Sequence, residues 1–145
     1  MRIWIGQEMG RTIEEEKVNN KIRRLLEYLG LDNAEIGIRF TTDEEIRELN
    51  KRYRQKDAPT NVLSFCMQEG ESFGLHPDLL GDIVISLDTA TREAQECGFD
   101  LAEMIDFYLI HGLLHLLGYH HDHPKHEKMM RKLWEVLKHK PYWED

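Results

Sequence analysis

Between Phe107 and Gly118 the chain reads FYLIHGLLHLLG, with no Asp, Glu, Lys or Arg in the run. Leu101, Met104, Ile105, Tyr108 and Leu109 lead into it at helical spacing, and Leu113, Leu116 and Leu117 carry it on, so apolar side chains cover most of the circumference. A helix that is apolar nearly all round belongs in an interior. The rest of the chain therefore has to be layered about it. Asp100 and Glu103 form a capping box at its start, and Gly118 ends or bends it, because glycine enters positive φ cheaply.

The flanking sequence supplies the layers. Arg2 to Ile5 alternate as a short strand with one buried face. Thr12 and Glu15 fit a capping box for a helix in which Val18, Ile22, Leu25, Leu26 and Leu29 point inward up to Gly30, with Glu14 to Glu16 in the first turn. Ile36, Ile38 and Phe40 alternate as a second strand, and Thr42 with Glu45 caps a helix that turns Ile46, Leu49 and Tyr53 inward. Asp57 to Thr60 is a turn, since a residue before proline is driven out of the helical region. Val62 to Phe65 reads as a strand buried on both faces, and Met67 to Leu79 as a connection of 13 residues, which includes His76. Ile83 to Ile85 is a fourth strand. A helix from about Asp88 to Gly98 carries Ala90, Ala94 and Cys97 on one side, which makes Cys97 a packing residue. The last helix opens with Asp122 as cap and Pro124 in the first turn, buries Met130, Leu133, Trp134 and Leu137, and sets Lys138 and Lys140 against its dipole. Four strands and about five helices in mixed order indicate an α+β layer fold, with residues 1 to 145 as a single domain.

The composition fits that reading: 41% hydrophobic and 32% charged residues describe a soluble globular chain. No apolar run approaches the roughly 20 residues that span a bilayer. The opening MRIWIGQEMG lacks the flanks of a signal peptide. Cys66 and Cys97 are too few for a disulfide scaffold, so a reducing, cytoplasmic setting is expected.

The interior helix also carries chemistry. His111 and His115 are four apart, which stacks their imidazoles on one face with β-carbons about 5–6 Å apart. One divalent ion with bonds of about 2.0–2.1 Å to nitrogen can take both. Beyond Gly118 the chain offers His120, His121 and His123 as a third ligand, and spacing alone leaves the three open. Imidazoles without cysteine nearby favour Zn2+, with Ni2+, Co2+ and Cu2+ as competitors. Three histidines leave one tetrahedral position open, the arrangement of a catalytic site in which a bound water falls to a pKa of about 7. Gly118 and His121 stand where the zinc protease signature HExxHxxGxxH has its glycine and third histidine. Gly112, however, occupies the place of that signature's glutamate base. Peptide hydrolysis by that route is therefore not expected.

A net charge of −8 excludes a general nucleic-acid coat protein, which neutralises phosphates along its whole surface. A local grip is still open. Lys51, Arg52, Arg54 and Lys56 form the densest basic cluster, and an arginine beside a metal site can fork onto a phosphate.

These stretches together carry a resemblance. HGLLHLLGYHH, from His111 to His121, resembles the HGxLHLxGYDH signature of the YbeY endoribonucleases, a family of bacterial ribosomal RNA maturation factors. Leu49-Asn50, Tyr53-Arg54, Lys56-Asp57 and Pro59 to Phe65 are similar to the family's LNxxYRxKDxPTxVLSFP segment, and Leu80 to Ile85 to its LGDIxI strand. The resemblance implies a zincin-like fold built round the buried metal-binding helix. It implies a metal-dependent, single-strand-specific endoribonuclease acting in 16S ribosomal RNA 3′-end maturation and ribosome quality control. Its partners would be single-stranded RNA and ribosomal RNA of the small ribosomal subunit, with no membrane and no DNA. By matching positions, His111, His115 and His121 would hold one Zn2+ per chain, or Ni2+ or another divalent ion. Arg54 would be the catalytic residue at the scissile phosphate. Two positions depart from the pattern: His120 replaces an aspartate and Cys66 a proline. The competing readings are a small-molecule metallohydrolase and a non-catalytic ribosome assembly factor with a structural metal.

Overall fold

A computed structural model describes residues 1–7, 13–67 and 78–143. The elements run β1 (Arg2–Gln7), α1 (Glu15–Tyr28), β2 (Glu35–Thr41), α2 (Asp43–Arg54), β3 (Val62–Cys66), β4 (Leu79–Ser86), α3 (Leu87–Cys97), α4 (Leu101–Leu116) and α5 (Pro124–Val136). The four strands form one mixed sheet in the order β1-β2-β4-β3. β1, β2 and β4 are parallel neighbours, and β3 runs antiparallel against β4 on the edge. Parallel neighbours need a crossover between them, which α1 provides between β1 and β2.

Side chains alternate across a strand, and β4 uses both faces. Ile83 and Ile85 join Ile36, Phe40, Leu109, Leu113 and Trp134 in the main core, into which α1, α3, α4 and α5 also pack. Val84 and Leu63 turn the other way, under Ile46 of α2. α4 is interior, as its composition requires. From Met104 to Leu116 every residue is buried except Phe107, His111 and His115, which recur every four residues as one open stripe.

Several contacts fix how α4 lies. A Cβ on Gly112 would meet Ile83 Cγ2 at 2.9 Å, so the absence of a side chain there lets the helix press onto β4. On its flank, Ser64 Oγ donates to the Gly112 carbonyl at 3.2 Å and Cys66 Sγ to the Leu116 carbonyl at 3.4 Å, which ties edge strand β3 to the helix. At the other end Asp106 is 1% exposed and accepts from Lys21 Nζ at 2.9 Å, with His139 Nε2 at 2.7 Å. Trp134 stacks on His139 with ring centres 4.2 Å apart.

Several local expectations change. α1 begins at Glu15 after Glu14, whose side chain makes no capping bond; Thr12 and His76 lie outside the described residues. Tyr53 is 55% exposed, because α2 covers only part of its side of the sheet, and its ring meets Phe65 edge-on. β3 is half-buried at Val62 and Phe65, as befits an edge strand. Cys97 is exposed, because it is the last residue of α3 and lies past the buried part of the stripe of Ala90 and Ala94. Ser86 caps α3, and His123 rather than Asp122 caps α5, its Nδ1 accepting from the Lys125 amide at 3.1 Å. α5 has no cation in its last turn, because it stops at Val136 and Lys138 takes a left-handed φ of 66°.

Candidate active site

The histidine end of the open stripe of α4 faces a cleft of about 590 Å³ between that helix, β3 and the turn after α2. His111 and His115 line it, one helical turn apart. Gly118, at φ 89°, ends the helix in the left-handed region and sends the chain back past it, which brings His121 to the same cleft. His120 and His123 are not among its described lining residues, and the His123 ring is engaged in capping α5.

Opposite the histidines stands Arg54, the last residue of α2. Its Nη2 donates to the Ser64 carbonyl at 2.6 Å, and its guanidinium lies 5.9 Å from the centre of the Phe65 ring. Ser64 is the residue whose hydroxyl holds Gly112, so one strand residue registers the arginine against the histidine helix. Gln55 takes a left-handed φ of 57° to end α2, and buried Asn50 donates to the Ala58 carbonyl at 2.8 Å, which holds the turn leading into β3. Lys56 lines the same wall. Of the four basic residues noted in the sequence, Arg54 and Lys56 reach the cleft; Lys51 and Arg52 are not among its described lining residues.

The electrostatics of the cleft oppose those of the whole molecule. Its described lining holds Arg54, Lys56 and three imidazoles and no carboxylate, in a chain of net charge −8. Burial, reinforced by the neighbouring His126, His115 and His121, pushes His111 down to about 4. Neutral imidazole is the form that binds a metal. The donor chemistry therefore fits a borderline divalent ion, although among the described residues no group of three or more His, Cys, Asp or Glu is already gathered to hold one. His115 and His121 are exposed.

One residue of this cluster escaped the sequence reading. His126, on the first turn of α5, is 5% exposed, and its ring centre lies 5.0 Å from that of His111. Its spacing to Met130, Leu133 and Leu137 was the available signal, for it continues the buried stripe of α5 toward the N-terminus.

The family model for Endoribonuclease YbeY matches residues 4–140. The chain belongs to the YbeY endoribonuclease family. Among curated YbeY proteins, that of Aquifex aeolicus is 48% identical over 124 residues, covering 85% of this chain and 81% of the relative. The Persephonella marina YbeY is 44% identical over 136 residues, 93% of this chain and 87% of the relative. The Syntrophus aciditrophicus YbeY is 43% identical over 127 residues, with 86% and 79% covered. The solution structure of TM1509 from Thermotoga maritima matches the fold with a TM-score of 0.60 at 24% identity, over 99% of this chain and 96% of that one.

Proposed function

We propose that this YbeY-family chain is a metal-dependent endoribonuclease that cuts single-stranded RNA, in maturation of the 16S ribosomal RNA 3′ end and quality control of the small ribosomal subunit. One observation carries the reading: Arg54, anchored on Ser64, and the imidazoles of His111, His115 and His121 open into one cleft with no carboxylate among its described lining residues. That is a receptor for a phosphodiester, and the −8 charge elsewhere confines the grip to a few phosphates.

The three histidines are the residues that would hold the ion, and we take Zn2+ as the ion, with Ni2+ or another divalent as a substitute. When bound, such an ion supplies Lewis acidity toward a phosphate oxygen and a more acidic water. Arg54 spends one N–H on the Ser64 carbonyl, which leaves the rest of its fork for non-bridging phosphate oxygens. Charge that builds on those oxygens during cleavage is met by a guanidinium already in place. Lys56 adds a second cation at the rim. Gly112, pressed on Ile83, cannot offer a protease-type glutamate, and a flexible single strand can lower one phosphate into the cleft where a stiff duplex cannot. The setting we infer is cytoplasmic, where free Cys66 and Cys97 stay reduced.

The test is cleavage of matched single-stranded and duplex RNA by Zn2+-loaded protein. Single strands should be cut and duplexes spared, and His115→Ala should abolish cutting while the protein stays folded. If His115→Ala cuts as well as wild type, the reading fails. RNA or subunit binding without turnover, indifferent to Arg54→Ala, would transfer the protein to the assembly-factor reading.

A further inference from the structure

His126 is a buried polar side chain with an unused nitrogen. It is 5% exposed, and its Nε2 has no hydrogen-bond partner. Stranding such a group is costly, and orphaned buried nitrogens are rare enough in folded proteins to call for a reason. The side chain is not among the described residues that line the cleft; it stands beside His111, ring centres 5.0 Å apart and planes at 72°. At that separation a small ring rotation brings an N–H of one imidazole to a nitrogen of the other. A histidine that binds a metal through one ring nitrogen almost always donates its other N–H to an acceptor, which fixes the tautomer and the ring plane. The described hydrogen bonds give His111 no such acceptor, and His126 Nε2 has no partner of its own.

We infer that His126 is the positioning residue for His111: its Nε2 accepts the outer ring N–H of His111 once the inner nitrogen takes up the ion. The inference rests on the three-histidine metal site proposed above. It explains why a histidine occupies the apolar stripe of α5, between the turn that carries His121 and Met130, where a leucine would pack without leaving a polar atom stranded. It also gives each ligand a distinct setting. His111 is held from within the fold, whereas His115 and His121 are exposed at the mouth.

Zn2+ affinity, read by competition with a chromophoric chelator, tests this in wild type, His126→Phe, His126→Gln and His115→Ala. Phenylalanine keeps the ring packing and removes the acceptor; glutamine restores an acceptor oxygen. His126→Phe should bind Zn2+ about 10–100-fold more weakly, while its metal-free form melts no lower than wild type. His126→Gln should recover most of the affinity. In Co2+-loaded protein the His111 ring N–H should appear as a shifted proton resonance that exchanges slowly with water, and His126→Phe should bring it into fast exchange. Wild-type Zn2+ affinity in His126→Phe with an unaltered N–H resonance overturns the assignment of His126 alone. Zn2+ binding that ignores His115→Ala overturns the metal site itself, and this inference with it.

Discussion

Gly112 lies against Ile83 so closely that a single added methyl would stand 2.9 Å from Cγ2 and 3.1 Å from Cδ1. The contact sets the depth at which the histidine helix beds into the sheet, and it is why the glutamate of a zinc protease has no room here. Gly112→Ala should cost about 1–3 kcal/mol by overpacking, read as a lower denaturant midpoint. It should also weaken metal binding, because His111 moves with the backbone. Unchanged stability would mean that β4 yields at Ile83 and that the close approach is incidental.

The proposed role of Arg54 is to meet phosphate through a planar fork held by Ser64. Arg54→Ala should lower single-strand cleavage about 10²–10³-fold, the usual loss for one donor aimed at developing charge, with the melting temperature and Zn2+ affinity little altered. Arg54→Lys should recover only a small part, since a lysine cannot bond the Ser64 carbonyl and grip a phosphate in two directions at once. Full activity in Arg54→Lys would show that charge alone matters.

His111 carries a pH signature. In the metal-free protein its imidazole should titrate near pH 4, from an ordinary value of 6.5, because burial and then the neighbouring histidines His126, His115 and His121 oppose the charged form. Above about pH 6.5 the ring is neutral in folded and unfolded chains alike. As the pH falls from there, the unfolded chain takes up the proton first, so this residue withdraws stability down to about pH 4 and no further below it. His126 is lowered in the same direction by its burial. An NMR titration of the ring protons measures the midpoint directly; a value near 6.5 would show that the ring is solvated.

Asp106 should matter for stability rather than chemistry. It is the buried acceptor between Lys21 and His139, and removal of one partner from a fully buried ion pair costs about 3–5 kcal/mol. Lys21 keeps 27% of its side chain in water, so Asp106→Ala should fall toward or below the lower end of that range. Lys21→Met should cost more than Asp106→Ala, because it leaves the buried Asp106 carboxylate with His139 alone, whereas the lysine left by Asp106→Ala already reaches water. Thermal melts of the two variants give the order, and the reverse order would refute the burial argument.

How far this was legible in the sequence depends on what each residue does. The interior helix declared itself through an uncharged run, and its histidine pair through a four-residue interval; both signals are local. The Arg54–Ser64–Gly112 relay was not legible, because its bonds run through backbone carbonyls, which have no sequence signature. Asp122 and His123 can both cap a helix, and only backbone geometry chose His123. Tyr53 has the spacing of a buried residue, but the sheet extends past the helix that carries it. Cys97 shares the spacing of Ala90 and Ala94 but is the last residue of α3, where that stripe runs out into solvent, and His126 gave its signal only as the first member of the α5 stripe.

The donors divide unevenly between scaffold and turn. His111 and His115 arrive on a helix whose backbone folding has already ordered, so an ion would meet two of the three proposed nitrogens at little conformational cost. In the proposed site His121 would close the chelate ring through the exposed turn that follows Gly118. That third bond would be the one that orders chain, and the first expected to open when an ion leaves. Metal exchange in this protein should thus be timed by the turn, and the helix should keep its two-nitrogen seat throughout.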